Sequence, residues 1–265
     1  MLILVAAMIL LAALAVVFGL GLAFASDFCH VDVDPKVEEI EDALPQINCG
    51  ACGYKGCAQY AEAVAKGEAA TNLCVPGAEG VAHQIAAIMG VEAEAHVPKR
   101  AVVHCQGGRE ECGQRFEYSG VEDCHAAAMV QGGPKACDFG CLGYGSCAEA
   151  CPFNAITMRD DRLPRIDPDK CTGCGVCVQA CPRGLIELLP VDCKVYLGCA
   201  SHYKGKAVKS ICSRGCIACQ LCVKKTESGA ITMEDNLPVI DYSKGRDFDV
   251  AVEKCPAKCF VVEEE

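Results

Sequence analysis

The chain has 265 residues, a net charge of -11, 24 cysteines and no tryptophan. So acidic a chain is no general binder of nucleic acid or anionic lipid. Its length separates it from small secreted folds stapled by disulfides, and its cysteines fall in tight C-x2-C runs that suit metal better than disulfide geometry.

Leu2 to Ala25 carries no charge, and as a helix those 24 residues span about 36 Å, enough to cross a bilayer. Ala23-Phe24-Ala25 resembles a signal-peptide cleavage site. A basic n-region is missing, however, and the apolar run exceeds a normal h-region. Residues 1–26 are therefore expected to be a retained single-pass anchor. Asp27, Asp32, Asp34 and Lys36 do not set its orientation.

Ser26 to Pro45 reads as an acidic connector. Residues 27–96 form the next expected domain, helical from Ile47 to about Ala95, with helical apolar spacing from Gly56 to Ala70. It carries Cys49-x2-Cys52-x4-Cys57-x16-Cys74. Gly50, Gly53 and Gly56 let the backbone approach a bound group closely. Four such thiolates suit zinc or an iron–sulfur cluster.

After Val97-Pro98 a strand-like Ala101-Val102-Val103 opens an internal repeat. Ala155-Ile156-Thr157-Met158 recurs as Ala230-Ile231-Thr232-Met233. Leu163-Pro164-Arg165-Ile166-Asp167 recurs as Leu237-Pro238-Val239-Ile240-Asp241. Cys124-x12-Cys137-x3-Cys141 recurs as Cys199-x12-Cys212-x3-Cys216. The shared register points to duplication, with domains at 97–190 and 191–265. The expected fold class is α+β: an N-terminal transmembrane helix, a small helical domain and two tandem ferredoxin-like units, the second degenerate.

Cys171-x2-Cys174-x2-Cys177-x3-Cys181-Pro182 is a bacterial ferredoxin run. Its first three cysteines hold one [4Fe–4S] cluster and its fourth reaches across to another. Upstream, Cys147-x3-Cys151-Pro152 has the same ending, but Tyr144 stands where the middle cysteine is expected. Cys137 and Cys141 are the available substitutes. The expected sets are Cys137, Cys141, Cys147 and Cys181, and Cys171, Cys174, Cys177 and Cys151; Cys137 as a buried free thiol is the alternative.

In the second unit the positions of Cys171, Cys174, Cys177 and Cys151 become Gly245, Phe248, Ala251 and Thr226. One complete ligand set is lost. Cys216, Cys219 and Cys222 remain, with Cys255 of Cys255-Pro256 to complete the other. These neighbours favour [4Fe–4S] over zinc for the N-terminal set too. At least four clusters are expected. Cys29, Cys105, Cys112, Cys124, Cys193, Cys199, Cys212 and Cys259 are left unassigned.

The chain shows no G-x-G-x-x-G after a strand and no P-loop, and nothing else in it looks catalytic. The stretch Asp192 to Lys225 holds seven basic residues (Lys194, Lys204, Lys206, Lys209, Arg214, Lys224, Lys225) and one acid. It is either a solvated face or a docking patch for an acidic partner.

The apolar N-terminal helix, the C-x2-C-x4-C-x16-C set within Ile47-Asn48-Cys49-Gly50-Ala51-Cys52-Gly53-Tyr54, and the ferredoxin units together resemble the B subunit of Rnf electron transport complexes. Asp123-Cys124-His125-Ala126-Ala127, Gly140-Cys141-Leu142-Gly143-Tyr144-Gly145 and Cys151-Pro152-Phe153-Asn154-Ala155-Ile156 carry the resemblance further. It implies a membrane complex that oxidises reduced ferredoxin, reduces NAD and translocates Na⁺ or H⁺. This protein would take electrons from ferredoxin and pass them to membrane partners beside flavin- and NAD-binding subunits, with no NAD activity of its own. Clusters assemble in a reducing compartment, so the soluble part is expected in the cytoplasm. The competing readings are the iron–sulfur subunit of another membrane oxidoreductase and a colourless zinc-stabilised scaffold.

Overall fold

The computed structural model describes residues 2–28, 34–93 and 97–263; Cys29 lies outside the described residues. Helix α1 (Leu2–Phe28) comes first. Its segment Val5–Ala25 has a mean hydropathy of 2.7, and none of it is buried against the rest of the protein. In length and composition it is able to cross a membrane.

Helix α2 (Pro35–Ala43) begins inside the stretch read as a connector, and this is a correction. Pro35 sits in the first turn, and the Asp34 carboxylate caps the helix by accepting the Lys36 N–H at 3.0 Å. Val37, Ile40 and Leu44 fall on one face of the chain and are buried. They pack with α3 (Cys57–Ala65) and α4 (Ala78–Met89), so the acidic residues belong to the outer face of a three-helix unit. Tyr60 is at its centre, 1% exposed. Its hydroxyl donates to the Ala70 carbonyl at 2.8 Å and accepts the Leu73 N–H at 3.2 Å, holding the loop that leads to Cys74.

The first ferredoxin unit runs β1 (Lys99–Val103), α5 (Cys124–Met129), α6 (Ser146–Glu149), β2 (Ile156–Met158), β3 (Pro164–Ile166), α7 (Val176–Gln179) and β4 (Ile186–Pro190). The outer strands β1 and β4 pair antiparallel, Lys99 opposite Pro190 and Val103 opposite Ile186; β2 and β3 form an inner hairpin. The second unit repeats this with β5 (Val195–Leu197), α8 (Lys206–Lys209), α9 (Leu221–Lys225), β6 (Ile231–Glu234), β7 (Leu237–Ile240), α10 (Asp249–Glu253) and β8 (Phe260–Val262). Again the first strand pairs with the last, β5 with β8, around the β6–β7 hairpin.

The two units are tied together. Arg100 on β1 is 6% exposed; its guanidinium meets the Glu263 carboxylate at 2.7 Å and donates to the Cys193 carbonyl at 3.1 Å. Cys193 itself is buried with Val102, Leu189 and Tyr196, a small apolar seam at the junction. Its thiol also approaches the Asp192 carboxylate at 3.8 Å.

Where the second unit has lost a set of cysteines it has gained carbon. Phe248 (2% exposed) and Ala251 (1%) are buried with Val195, Ile231 and Phe260. Tyr242 meets Phe248 edge-on at 6.0 Å. Thr226 is buried as well, its hydroxyl bonded to the Cys222 carbonyl at 2.9 Å. Phe248→Ala is expected to cost about 3–5 kcal/mol, as for other buried aromatics. An anaerobic urea titration followed by circular dichroism reads this as a lowered midpoint, which the exposed neighbour Asp249→Ala should not reproduce.

Candidate metal centres

The N-terminal set is assembled by a loop that glycine permits. Gly50 and Gly53 have φ of 73° and 87°, the left-handed region that side chains disfavour. Gly56 extends the backbone into α3 at a point where a Cβ would stand 2.7 Å from Asn48 Oδ1. That same oxygen accepts the Cys57 N–H at 2.8 Å. Cys49, Cys52 and Cys57 are half-buried and Cys74 is buried. Burial pushes the Cys74 thiol up to about 11, and Cys57, Cys49 and Cys52 are close enough to raise it too. All four expected residues are thus brought together.

Cys151, Cys171, Cys174 and Cys177 line a space of about 310 Å³ in the first ferredoxin unit. Backbone N–H groups point at its sulfurs: Ala101 to Cys171 at 3.5 Å and Ala155 to Cys151 at 3.4 Å. Gly173, φ 72°, is pressed against β1, where a Cβ would meet the Lys99 carbonyl at 2.3 Å.

The second space of this unit, about 400 Å³, is lined by Cys124, Cys141, Cys147 and Cys181. Cys137, expected here, is elsewhere, and Cys124 stands in its stead. The reason is local hydrogen bonding. Asp123 caps α5 by accepting the Ala126 N–H at 2.8 Å. Ser146 at the start of α6 accepts the Cys124 N–H at 2.7 Å and donates to Asp123 at 2.7 Å. This partly buried bond network fixes Cys124 beside Cys147. Tyr144 packs on Tyr118 at 5.3 Å and under the Arg162 guanidinium. Arg183, following Cys181-Pro182, binds the carbonyls of Cys137 at 2.7 Å and Gly140 at 2.9 Å. Cys137 then lines a different space, facing the second unit with Cys105, Cys112, Cys199 and Cys212.

In the second unit Cys216, Cys219, Cys222 and Cys255 line a space of about 330 Å³, joined by Cys259. Cys259 is 1% exposed with its sulfur 3.4 Å from that of Cys255. Sharing a hydrogen bond with Cys259 lowers the Cys255 thiol to about 5 and the Cys216 thiol to about 7. The same two contacts, together with burial, raise the Cys259 thiol. It occupies the position of Leu185 in the first unit, whose N–H bonds the Cys181 sulfur at 3.4 Å.

The repeat also needs one correction. The equal spacing of Cys124 and Cys199 from the next cysteine is a coincidence. Cys199 follows β5 as Cys105 follows β1, and each accepts a backbone N–H from the first cysteine of a ligand run: Cys141 to Cys105 at 3.4 Å, Cys216 to Cys199 at 3.3 Å. The signal was present in Val102-Val103-His104-Cys105 and Tyr196-Leu197-Gly198-Cys199, where a short apolar strand precedes each cysteine. The extra residues between Cys105 and Cys137 hide it.

Among the described residues no three ligating side chains converge tightly enough to share a single ion. Backbone N–H groups are directed at the sulfurs of Cys151, Cys171 and Cys181. That fits an iron–sulfur cluster, whose potential such hydrogen bonds help set. Neighbouring sets are close. Burial raises the Cys174 thiol and so do Cys49 and Cys151; burial raises Cys177, and so does Cys147.

Residues 44–76 match a family described as "Putative Fe-S cluster", and residues 136–185 match a 4Fe-4S dicluster domain. The chain is 44% identical over 253 residues to the B subunit of the proton-translocating ferredoxin:NAD(+) oxidoreductase complex of Clostridium ljungdahlii, covering 95% of this chain and 88% of that protein. It is 44% identical over 250 residues to the Na(+)-translocating counterpart of Acetobacterium woodii, covering 94% and 75%. It is 39% identical over 256 residues to the B subunit of the ion-translocating oxidoreductase complex of Methanosarcina acetivorans, covering 94% and 97%. Likeness at this level along nearly the whole length of the relatives, together with the shared iron–sulfur domains, means that the chain belongs to the B-subunit family of the ion-translocating oxidoreductase, or Rnf, complexes.

Proposed function

We propose that this subunit takes electrons from reduced ferredoxin and passes them to the membrane subunits of a ferredoxin:NAD oxidoreductase, and that its soluble part faces the cytoplasm. The observation that carries this is the nearness of successive thiol sets. Cys49 of the N-terminal set neighbours Cys174, and Cys177 neighbours Cys147. Electrons therefore have a route between the first ferredoxin unit and the unit that follows α1.

Four [4Fe–4S] ligand sets support that route: Cys49, Cys52, Cys57 and Cys74; Cys151, Cys171, Cys174 and Cys177; Cys124, Cys141, Cys147 and Cys181; and Cys216, Cys219, Cys222 and Cys255. A bound cluster supplies reversible one-electron chemistry. The chain's own residues hold the sulfurs, direct N–H groups at them and exclude water. No side chain needs to move a proton.

Cys219 is the exposed cysteine among those described, so the second ferredoxin unit has the most accessible edge. Lys204, Lys206, Lys209, Lys224 and Lys225 are exposed around it in sequence. On an acidic chain this is the local exception that suits an acidic electron donor. Such patches act mainly on the association rate, in a salt-dependent way.

Reversing Lys204, Lys206 and Lys209 to Glu should slow reduction by ferredoxin at low salt and flatten its salt dependence, while a small neutral donor reduces the variant as before. An unchanged rate and salt slope would move the docking site elsewhere. Deleting Met1 to Ala25 should release a soluble protein that keeps its visible absorbance; fractionation of the truncated chain with membranes lacking the partner subunits would refute the anchor. Cys124→Ala should lose about four irons per chain and, with them, the magnetic coupling between neighbouring clusters in the EPR spectrum. Full iron and intact coupling would remove Cys124 from the ligand set.

A further inference from the structure

Between the two ferredoxin units lies a space that none of these four sets uses. Cys105, Cys112, Cys137, Cys199 and Cys212 line it, and it measures about 400 Å³. The space beside Cys141 and Cys147 is also about 400 Å³, and the other two in the ferredoxin units are about 330 and 310 Å³. In size and lining it is one more member of the same series.

Its cysteines are related by the repeat. Cys105 and Cys199 each follow the first strand of a unit. Cys137 and Cys212 each stand four residues before the first cysteine of a ligand run, Cys141 and Cys216. Each unit therefore contributes an equivalent pair. Cys112 is the fifth; it forms an isolated antiparallel bridge with Cys212. Backbone N–H groups point at the sulfurs here as they do in the other sets: Cys141 to Cys105 at 3.4 Å, Cys216 to Cys199 at 3.3 Å and Ser201 to Cys199 at 3.5 Å.

The charge balance points to an anion in this space. Lys135 lines it and is 8% exposed. Its ammonium donates to the carbonyls of Gly107 and, at 2.8 Å, Cys141, groups without net charge. A buried ammonium is costly unless an opposite charge accompanies it. Four thiolates around an iron–sulfur cube supply that negative charge.

We propose that this space holds a fifth [4Fe–4S] cluster, ligated by Cys105, Cys137, Cys199 and Cys212, with Cys112 hydrogen-bonded to Cys212 beside it. Its place gives it a role. Cys105 is one hydrogen bond from Cys141 of the first unit, and Cys199 is one hydrogen bond from Cys216 of the second. One electron arriving from the reduced Cys216 set would reduce this site as that set is reoxidised. The electron would then move on to the Cys141 set, with no proton or bond exchanged. The role rests on the electron-transfer reading above; the site does not.

The test is a metal count on the full-length chain, purified anaerobically in detergent. Five cubes require about twenty irons and as many sulfides per chain, against about sixteen for four. The Cys105→Ala/Cys199→Ala double variant should lose about four irons and leave the EPR signals of the other sets. Cys112→Ala should keep the native count. On mixing with reduced ferredoxin, the double variant should still reduce the Cys216 set but lose onward reduction of the others. A native count near sixteen with the four other sets fully occupied, one zinc in place of four irons, or a double variant with native iron would each overturn the proposal. If the double variant does not fold, the native count decides alone. Twenty irons with onward transfer undisturbed would keep the site and sink its role.

Discussion

The architecture depends on one requirement: cysteine sulfurs must be brought out of water onto backbone N–H groups without filling the space between them. Carbon cores close by contact. These cores have to stay open at their centres while the backbone wraps tightly around them. Glycines at left-handed φ, short strands and helices of one turn are what that demands. It also explains how a chain without tryptophan sustains three soluble units. Metal–ligand bonds contribute folding energy where apolar area is scarce.

The two ferredoxin units solve the same topology with different fillings. In the first, Cys151, Cys171, Cys174 and Cys177 surround an open space. In the second, the corresponding positions carry Phe248, Ala251, Thr226 and Gly245, and the first two belong to a continuous apolar core. The strand pairing is the same in both. A pocket shaped for an inorganic group can thus be closed by an aromatic side chain, provided that a neighbour such as Tyr242 covers it.

Much of this could be read from the sequence because cysteine spacing is a local property. The triads Cys171 to Cys177, Cys216 to Cys222 and Cys49 to Cys57 are short enough for the backbone alone to bring the thiols near one another. The α+β pattern followed from the repeated Ala-Ile-Thr-Met and Leu-Pro segments, which became the inner hairpins. Cys124 was harder. It reaches Cys147 only through Asp123 and Ser146, a contact 22 residues apart that no periodicity announces. Cys137 was misjudged because it lies near Cys141 in sequence while Arg183 holds its loop toward the other unit. The connector became α2 because three spaced apolar residues outweigh the acids between them. Cys193, Cys199 and Cys212 took their meaning from the junction between units, which exists only in three dimensions.

The exposure of Cys219 has a chemical cost. An edge that water reaches is an edge that dioxygen and peroxide can reach, and accessible thiolates are the first to oxidise. The cysteines of the other sets are half-buried or buried, and packed chain shields them better. Damage by air would therefore begin at the outermost site and travel inward. An aerated sample would lose its outermost set first while its interior stayed coloured.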